Sequence, residues 1–178
     1  LENNVQTAYI SHPDCFKHDM GITHPECPQR LAAIENQLKA SGLWSQLQCH
    51  DAPLATTEQL ARVHTLDYIE DIRQTAPATG LIALDADTAM NPFTLNAALR
   101  AAGAVVLATD LVLSGKVNNA FCAVRPPGHH AESDRAMGFC LFNNIAVGVA
   151  HAIAHYHLQR VAILDFDVHH GNGSEEIF

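Results

Sequence analysis

Asp167 and His169 put a carboxylate and an imidazole two residues apart, and Asp165 lies two residues before them. Side chains two apart share a face of a strand, so all three would project together. Carboxylate oxygen and imidazole nitrogen are donors that zinc or a similar cation accepts, and two at this spacing can converge on one ion. A catalytic zinc normally takes three protein ligands and an open position, so the pair makes only part of such a site. Taken alone, Asp-x-His also reads as a strand end capped by a hydrogen-bonded turn. The run that follows, His170-Gly171-Asn172-Gly173, strengthens the metal reading.

A second imidazole pair, His129-His130, follows Arg125-Pro126-Pro127-Gly128. Two prolines stiffen this exit loop, and tandem histidines on a rigid loop could act as general acid and base. Each ring would need a partner on its other nitrogen; Asp165 and Asn172, one charged and one neutral, are available. The plainer alternative is a pair of solvent-facing loop histidines. Gly138 allows close backbone approach and Phe139 could line an apolar slot, although the stretch to Asn144 reads equally as a packed strand-to-helix connection. Asp85-Ala86-Asp87-Thr88 reads as a solvated acidic loop, with attraction of a cationic substrate a weaker second reading.

The elements that must position these groups follow from pattern. Val161 to Leu164 is a β-branched apolar run, expected as a buried strand of a parallel sheet with the ionisable groups at its carboxyl end, where open α/β sheets place ligands. Gln6 to Ile10 and Ala120 to Val124 are further strands. Helices are expected from Pro28 to about Ser41, with Leu31, Ile34 and Leu38 on one face, from a capping box at Thr56 through Val63, and from Leu66 to Arg73. A mostly apolar helix spans Thr94 to Leu113, one capped by Asn143 or Asn144 runs to His157, and Ser174 opens a last helical turn. Ala76 to Phe93 reads as a loop. Strands alternating with helices predict a parallel α/β sheet with crossover helices.

Composition narrows the function. The chain has 178 residues, with 10 Lys and Arg against 19 Asp and Glu for a net charge of -9, and no basic run that would track a phosphate backbone, so direct nucleic-acid binding is not expected. No apolar stretch reads as a membrane span and the amino end has no basic-then-apolar leader, so no membrane partner is expected. Five cysteines form no C-x-x-C pair, and Cys122 and Cys140 lie in apolar runs; free thiols and a cytoplasmic, reducing location are expected.

Arg-Pro-Pro-Gly-His-His-Ala at 125–131, Gly-Phe-Cys-Leu-Phe-Asn-Asn at 138–144 and Asp-Phe-Asp-Val-His-His-Gly-Asn-Gly at 165–173 together resemble the histone deacetylase superfamily. That group includes acetylpolyamine amidohydrolases and acetoin-utilisation proteins. His-Pro-Glu-Cys-Pro-Gln-Arg-Leu at 24–31 and Asp-Ala-Asp-Thr at 85–88 are similar to its class II-like and bacterial members. The resemblance implies a three-layer α/β/α fold of the arginase and deacetylase type, with residues 1–178 as the N-terminal part of one catalytic domain. It implies zinc-dependent hydrolysis of N-acetyl amides, on acetyl-lysine or acetylpolyamine, with oligomeric state undetermined.

Residue by residue, the resemblance makes Asp167 and His169 zinc ligands, His130 the general base and His129 its partner in handling the proton. Asp165 would orient His129 and help hold a structural potassium ion; Asn172 would orient His130. Gly138 and Phe139 would line the acyl-amine channel, with Arg30 deeper. Gly171, where the arginase-type site has a carboxylate, favours a single ion. Tyr9, Tyr68 and Tyr156 match no oxyanion-stabilising motif, and a third ligand Asp is not apparent. A competing expectation is therefore a truncated, non-catalytic chain, or a partner-dependent metal-binding module.

Overall fold

Ala8, Tyr9 and Ile10 are each almost completely buried, although they point alternately to opposite faces of one strand. That requires cover on both sides of a sheet, which is the condition of a parallel α/β layer. In the computed structural model, which describes residues 5–178, strand β1 (Thr7–Ser11) is central and pairs in parallel with β2 (Leu47–Asp51) and β5 (Asn119–Cys122). The registers place Thr7 opposite Leu47 and Asn119, and Ile10 opposite His50 and Cys122. Helix α2 (Gln29–Ala40) brings Leu31, Ile34 and Leu38 onto the Tyr9 face. Helix α5 (Thr94–Leu113) covers Ala8 and Ile10 with Ala104 and Leu111, and α6 (Asn144–Tyr156) packs behind it. Helices, sheet and helices make the three-layer α/β/α fold.

The remaining elements follow local chemistry. Helix α1 (Asp14–Lys17) is a single turn after Pro13. The Thr56 capping box forms in full, with Gln59 Oε1 accepting from the Thr56 N–H, but α3 ends at Leu60 (Thr57–Leu60) and continues only as turns. Helix α4 (Leu66–Thr75) is capped by Thr65 and buries Tyr68, Ile69 and Ile72. Gly103 is required by packing: a Cβ there would stand 2.0 Å from the Pro53 carbonyl oxygen, so α5 lies against bare backbone.

Several expectations need correction. Residues 161–168 form no strand: among the described residues none gives this segment a hydrogen-bonded ladder, and Leu164, Phe166 and Val168 are 88%, 95% and 92% exposed. An apolar run becomes a buried strand only where neighbours cover it. Strand β2 was not anticipated, because Leu47-Gln48-Cys49-His50-Asp51 is a polar edge held by the ladder to β1. The loop from Ala76 contains a two-residue antiparallel pair, β3 (Ile82–Ala83) with β4 (Ala89–Met90). The last helix, α7 (Asn172–Ile177), starts two residues before Ser174. Helix α5 is long and apolar enough to cross a membrane, contrary to the reading that no stretch was, but half of it is buried in the protein core. All five cysteines are free, with Cys140 buried and Cys122 half-buried.

Two histidines in this scaffold are held neutral by burial. His18, completely buried and also facing the Arg125 guanidinium, has its pKa pushed down to about 3, and His64 to about 4. In the unfolded chain both titrate near 6.5. Between roughly pH 4 and 6.5 the unfolded state therefore binds more protons, and stability falls as pH falls through that window. The urea midpoint is expected to drop between about pH 7 and 4.5, by up to about 1.4 kcal/mol per pH unit for each ring. His64→Gln should weaken that dependence; a midpoint independent of pH would show that the rings are not held neutral.

Candidate active site

The His129-His130 loop leaves β5 through Arg125, and its course is set by contacts on every side. Arg125 is buried and uses its whole guanidinium: Nε and Nη2 donate to the two carboxylate oxygens of Glu26, and Nη1 donates to the carbonyls of Cys15 and His18 at 2.9 and 3.0 Å. Further along, Asn144 Nδ2 donates to the Pro126 carbonyl at 3.1 Å, and Asn143 Nδ2 to that of Ala131 at 3.1 Å. Helix α7 closes the other side, with the Ser174 N–H donating to the His129 carbonyl at 3.1 Å.

Held this way, the two imidazoles lie with centroids 4.1 Å apart, and each Nδ1 has a partner. His129 Nδ1 is 2.8 Å from Asp165 Oδ2, and His130 Nδ1 is 2.7 Å from Asn172 Oδ1. The hydrogen bond from His129 holds the Asp165 carboxyl below its ordinary range. Gly138, at φ 56°, packs against the His130 ring so closely that a Cβ would lie 2.4 Å from Cδ2. Phe139 follows at φ 70°, a conformation unfavourable for a bulky side chain. Its N–H donates to Thr88 Oγ1 at 3.0 Å and its ring meets His24 edge-on at 4.5 Å.

Asp167 and His169 share the same cleft, a cavity of about 530 Å³ whose walls also include Arg30, Asp87, Gly138 and Phe139. Their donors lie close together, with His169 Nδ1 3.0 Å from Asp167 Oδ1. Asp167 Oδ1 also accepts from the His169 N–H at 2.8 Å, which lowers the carboxyl pKa, so the hydrogen-bonded turn of the plainer reading is present as well. The pair supplies oxygen and nitrogen of the kind zinc takes. Among the described residues, however, no group of three or more His, Cys, Asp or Glu side chains is arranged to hold a metal. The residues present fit part of a zinc ligand set.

Sequence reasoning brought together the tandem histidines, Asp165, Asn172, Gly138, Phe139, Asp167, His169 and Arg30. It did not assign the Glu26–Arg125 pair, the Thr88 support for Phe139, or Glu132, whose Oε1 accepts from Asn172 Nδ2 at 3.0 Å. Glu26 and Arg125 lie in motifs that drew notice, but no local spacing links residues 99 apart. Asp85 shapes its own loop: its Oδ1 accepts from the N–H groups of Asp87 and Thr88 at 2.9 and 2.6 Å, and these bonds lower its pKa.

Residues 24–178 match the family model described as the histone deacetylase domain. The chain belongs to the histone deacetylase family. It is 43% identical to the histone deacetylase-like amidohydrolase of Pseudomonas aeruginosa over 87% of this chain and 40% of that protein. It is 42% identical to the polyamine deacetylase HDAC10 of Rattus norvegicus over 97% of this chain and 31% of the relative. A probable deacetylase of Archaeoglobus fulgidus is 36% identical over 97% and 48%. The crystal structure of the HDA15 HD domain superposes with a TM-score of 0.92 at 36% identity, covering 98% of this chain and 50% of that one. This member of the histone deacetylase family thus spans half, or less, of the length of these relatives.

The buried pair behind the histidine loop gives a direct test. Arg125→Met leaves the Glu26 carboxylate buried without its partner and is expected to cost about 3–5 kcal/mol of stability. Arg125→Met combined with Glu26→Leu should recover much of that loss. Urea unfolding of these variants and of Glu26→Leu alone measures the coupling; losses that simply add would mean that the two side chains are not energetically coupled.

Proposed function

We propose that this chain contributes the tandem-histidine and metal-ligand half of the active site of a zinc-dependent deacetylase acting on acetylated amines. The observation that carries the reading is the common cleft: His129 and His130, each tied at Nδ1 to an acceptor, lie beside Asp167 and His169. Zinc, held by Asp167 and His169 with further donors, would polarise the amide carbonyl and acidify water. His130, donating through Nδ1 to Asn172, keeps the Nε2 lone pair available to take a proton from the attacking water. His129 is backed by the Asp165 carboxylate, which stabilises an imidazolium better than a neutral amide does. It is therefore suited to carry positive charge, and the proton that His130 takes from water would be returned from the histidine pair to the leaving amine. Asp165, with backbone near Asp167 and His169, would also hold a structural potassium ion.

Gly138 and Phe139 shape one wall of the passage, and Asp87 adds a carboxylate to the cleft. An extended acyl-amine, an acetyl-lysine side chain or an acetylpolyamine, fits such a slot, and the names of the amidohydrolase and polyamine deacetylase relatives support that class. A second reading, a metal-binding module completed by residues from another polypeptide, is favoured by the lack of a three-donor group among the described residues.

Calorimetric titration and an acetate-release assay separate the two readings. Zinc binding is expected to be weakened by Asp167→Ala and by His169→Ala. With zinc present and the chain completed to the length of its relatives, a panel of acetyl-lysine peptides and acetylpolyamines should release acetate, and His130→Ala should lower the rate by about 10²–10⁴. Zinc binding with no acetate released from any panel member would favour the second reading; zinc binding unaffected by either ligand variant would sink both.

A further inference from the structure

We propose that Glu132 is a positioning residue for His130, acting through Asn172 by fixing which way its carboxamide faces; this rests on the reading of His130 as a base. Glu132 does not line the catalytic cleft. Its Oε1 accepts from Asn172 Nδ2 at 3.0 Å, while Arg135 Nη2 donates to its Oε2 at 2.6 Å. Asn172 Nδ2 also lies 3.3 Å from Met137 Sδ and 3.5 Å from the His130 carbonyl oxygen. Carboxylate, thioether and carbonyl groups are all acceptors, so the amide must turn its NH₂ toward them.

The oxygen consequently faces His130 Nδ1 at 2.7 Å. A carbonyl oxygen can only accept, so Nδ1 carries the hydrogen and Nε2 keeps its lone pair. Reversing the amide would set an NH₂ against Nδ1, which suits the opposite tautomer, and a carbonyl oxygen against the Glu132 carboxylate, which is repulsive. The neighbouring histidine needs no such help. Asp165 has two equivalent accepting oxygens and fixes the His129 tautomer whichever one is presented. A neutral amide at position 172 is unsymmetrical, and Glu132 supplies the missing direction. The same contact makes a prediction about charge. Asn172→Asp would place a second carboxylate within hydrogen-bonding distance of the first, and Glu132→Gln would convert that clash into a donor–acceptor pair.

Histidine ¹⁵N NMR of the 178-residue protein reads the tautomer without turnover. The parent should show His130 with hydrogen on Nδ1. Glu132→Gln, whose amide oxygen still accepts, should keep it. Glu132→Ala should lower the ratio of Nδ1–H to Nε2–H forms by about tenfold, the equivalent of one hydrogen bond. An unchanged ratio in Glu132→Ala with a native amide spectrum would overturn the proposal. If Glu132→Ala does not fold, the charge test decides: Asn172→Asp should lower the melting temperature, and adding Glu132→Gln should restore most of the loss. Equal melting temperatures for Asn172→Asp with and without Glu132→Gln would also overturn it. Because neither readout uses hydrolysis, the expected tautomers together with no acetate released by the completed domain count against the deacetylase reading alone.

Discussion

The ion pair between Arg125 and Glu26 joins three separate pieces of chain where the sheet hands over to the His129-His130 loop. Arg125 sits just beyond β5, Glu26 in the turn before α2, and the carbonyls of Cys15 and His18 at the end of α1 take the remaining donors. A guanidinium this buried must have its donors matched, and the planar fork can do so only in one orientation. The pair itself adds little net stability, because removing two charges from water offsets most of their attraction. Its consequence is geometric. With Arg125 fixed, Pro126 to His130 leaves the sheet in one direction, while burial, reinforced by the same charge, keeps His18 neutral against Thr94 Oγ1 at 2.8 Å.

From that anchor the site is built as successive hydrogen-bonded layers rather than as isolated residues. His129 leans on Asp165 and His130 on Asn172, and Asn172 in turn leans on Glu132, whose other oxygen accepts from Arg135. The two histidines are neighbours in sequence yet receive opposite kinds of support, one from a carboxylate and one from an amide. Two rings 4.1 Å apart would otherwise be electrostatically alike. The difference in their backing gives His129 a charged acceptor and His130 a neutral one.

Much of this was legible in the sequence, and the reasons for the rest are physical. Helix α5 is marked by its length and apolarity, α4 by its buried Tyr68, Ile69 and Ile72, and α3 by its capping box, all local signals within one turn or one face. The tandem histidines and their acceptors were readable because each motif is contiguous, although its partner is distant. Strand β2 was not legible, since an edge strand of polar residues exists only through its pairing with β1. Glu26 and Glu132 were hidden for a different reason. Their roles depend on a partner across the fold, Arg125 in one case and Asn172 in the other, and a lone glutamate carries no such information.

The segment from Val161 to His169 holds its acidic residues in place without the strand expected of it. It was read as a strand so that Asp165, Asp167 and His169 would share a face. No ladder forms, yet the two-residue period survives, because each carboxylate captures the backbone two residues on. Asp165 Oδ1 accepts from the Asp167 N–H at 3.1 Å, and Asp167 Oδ1 from the His169 N–H at 2.8 Å. Short side chains that accept from the i+2 N–H template the local backbone themselves. The same carboxylates therefore hold the segment locally, and Asp165 Oδ2 stays available for His129. Alternation here is a property of the aspartates before it is a property of any sheet.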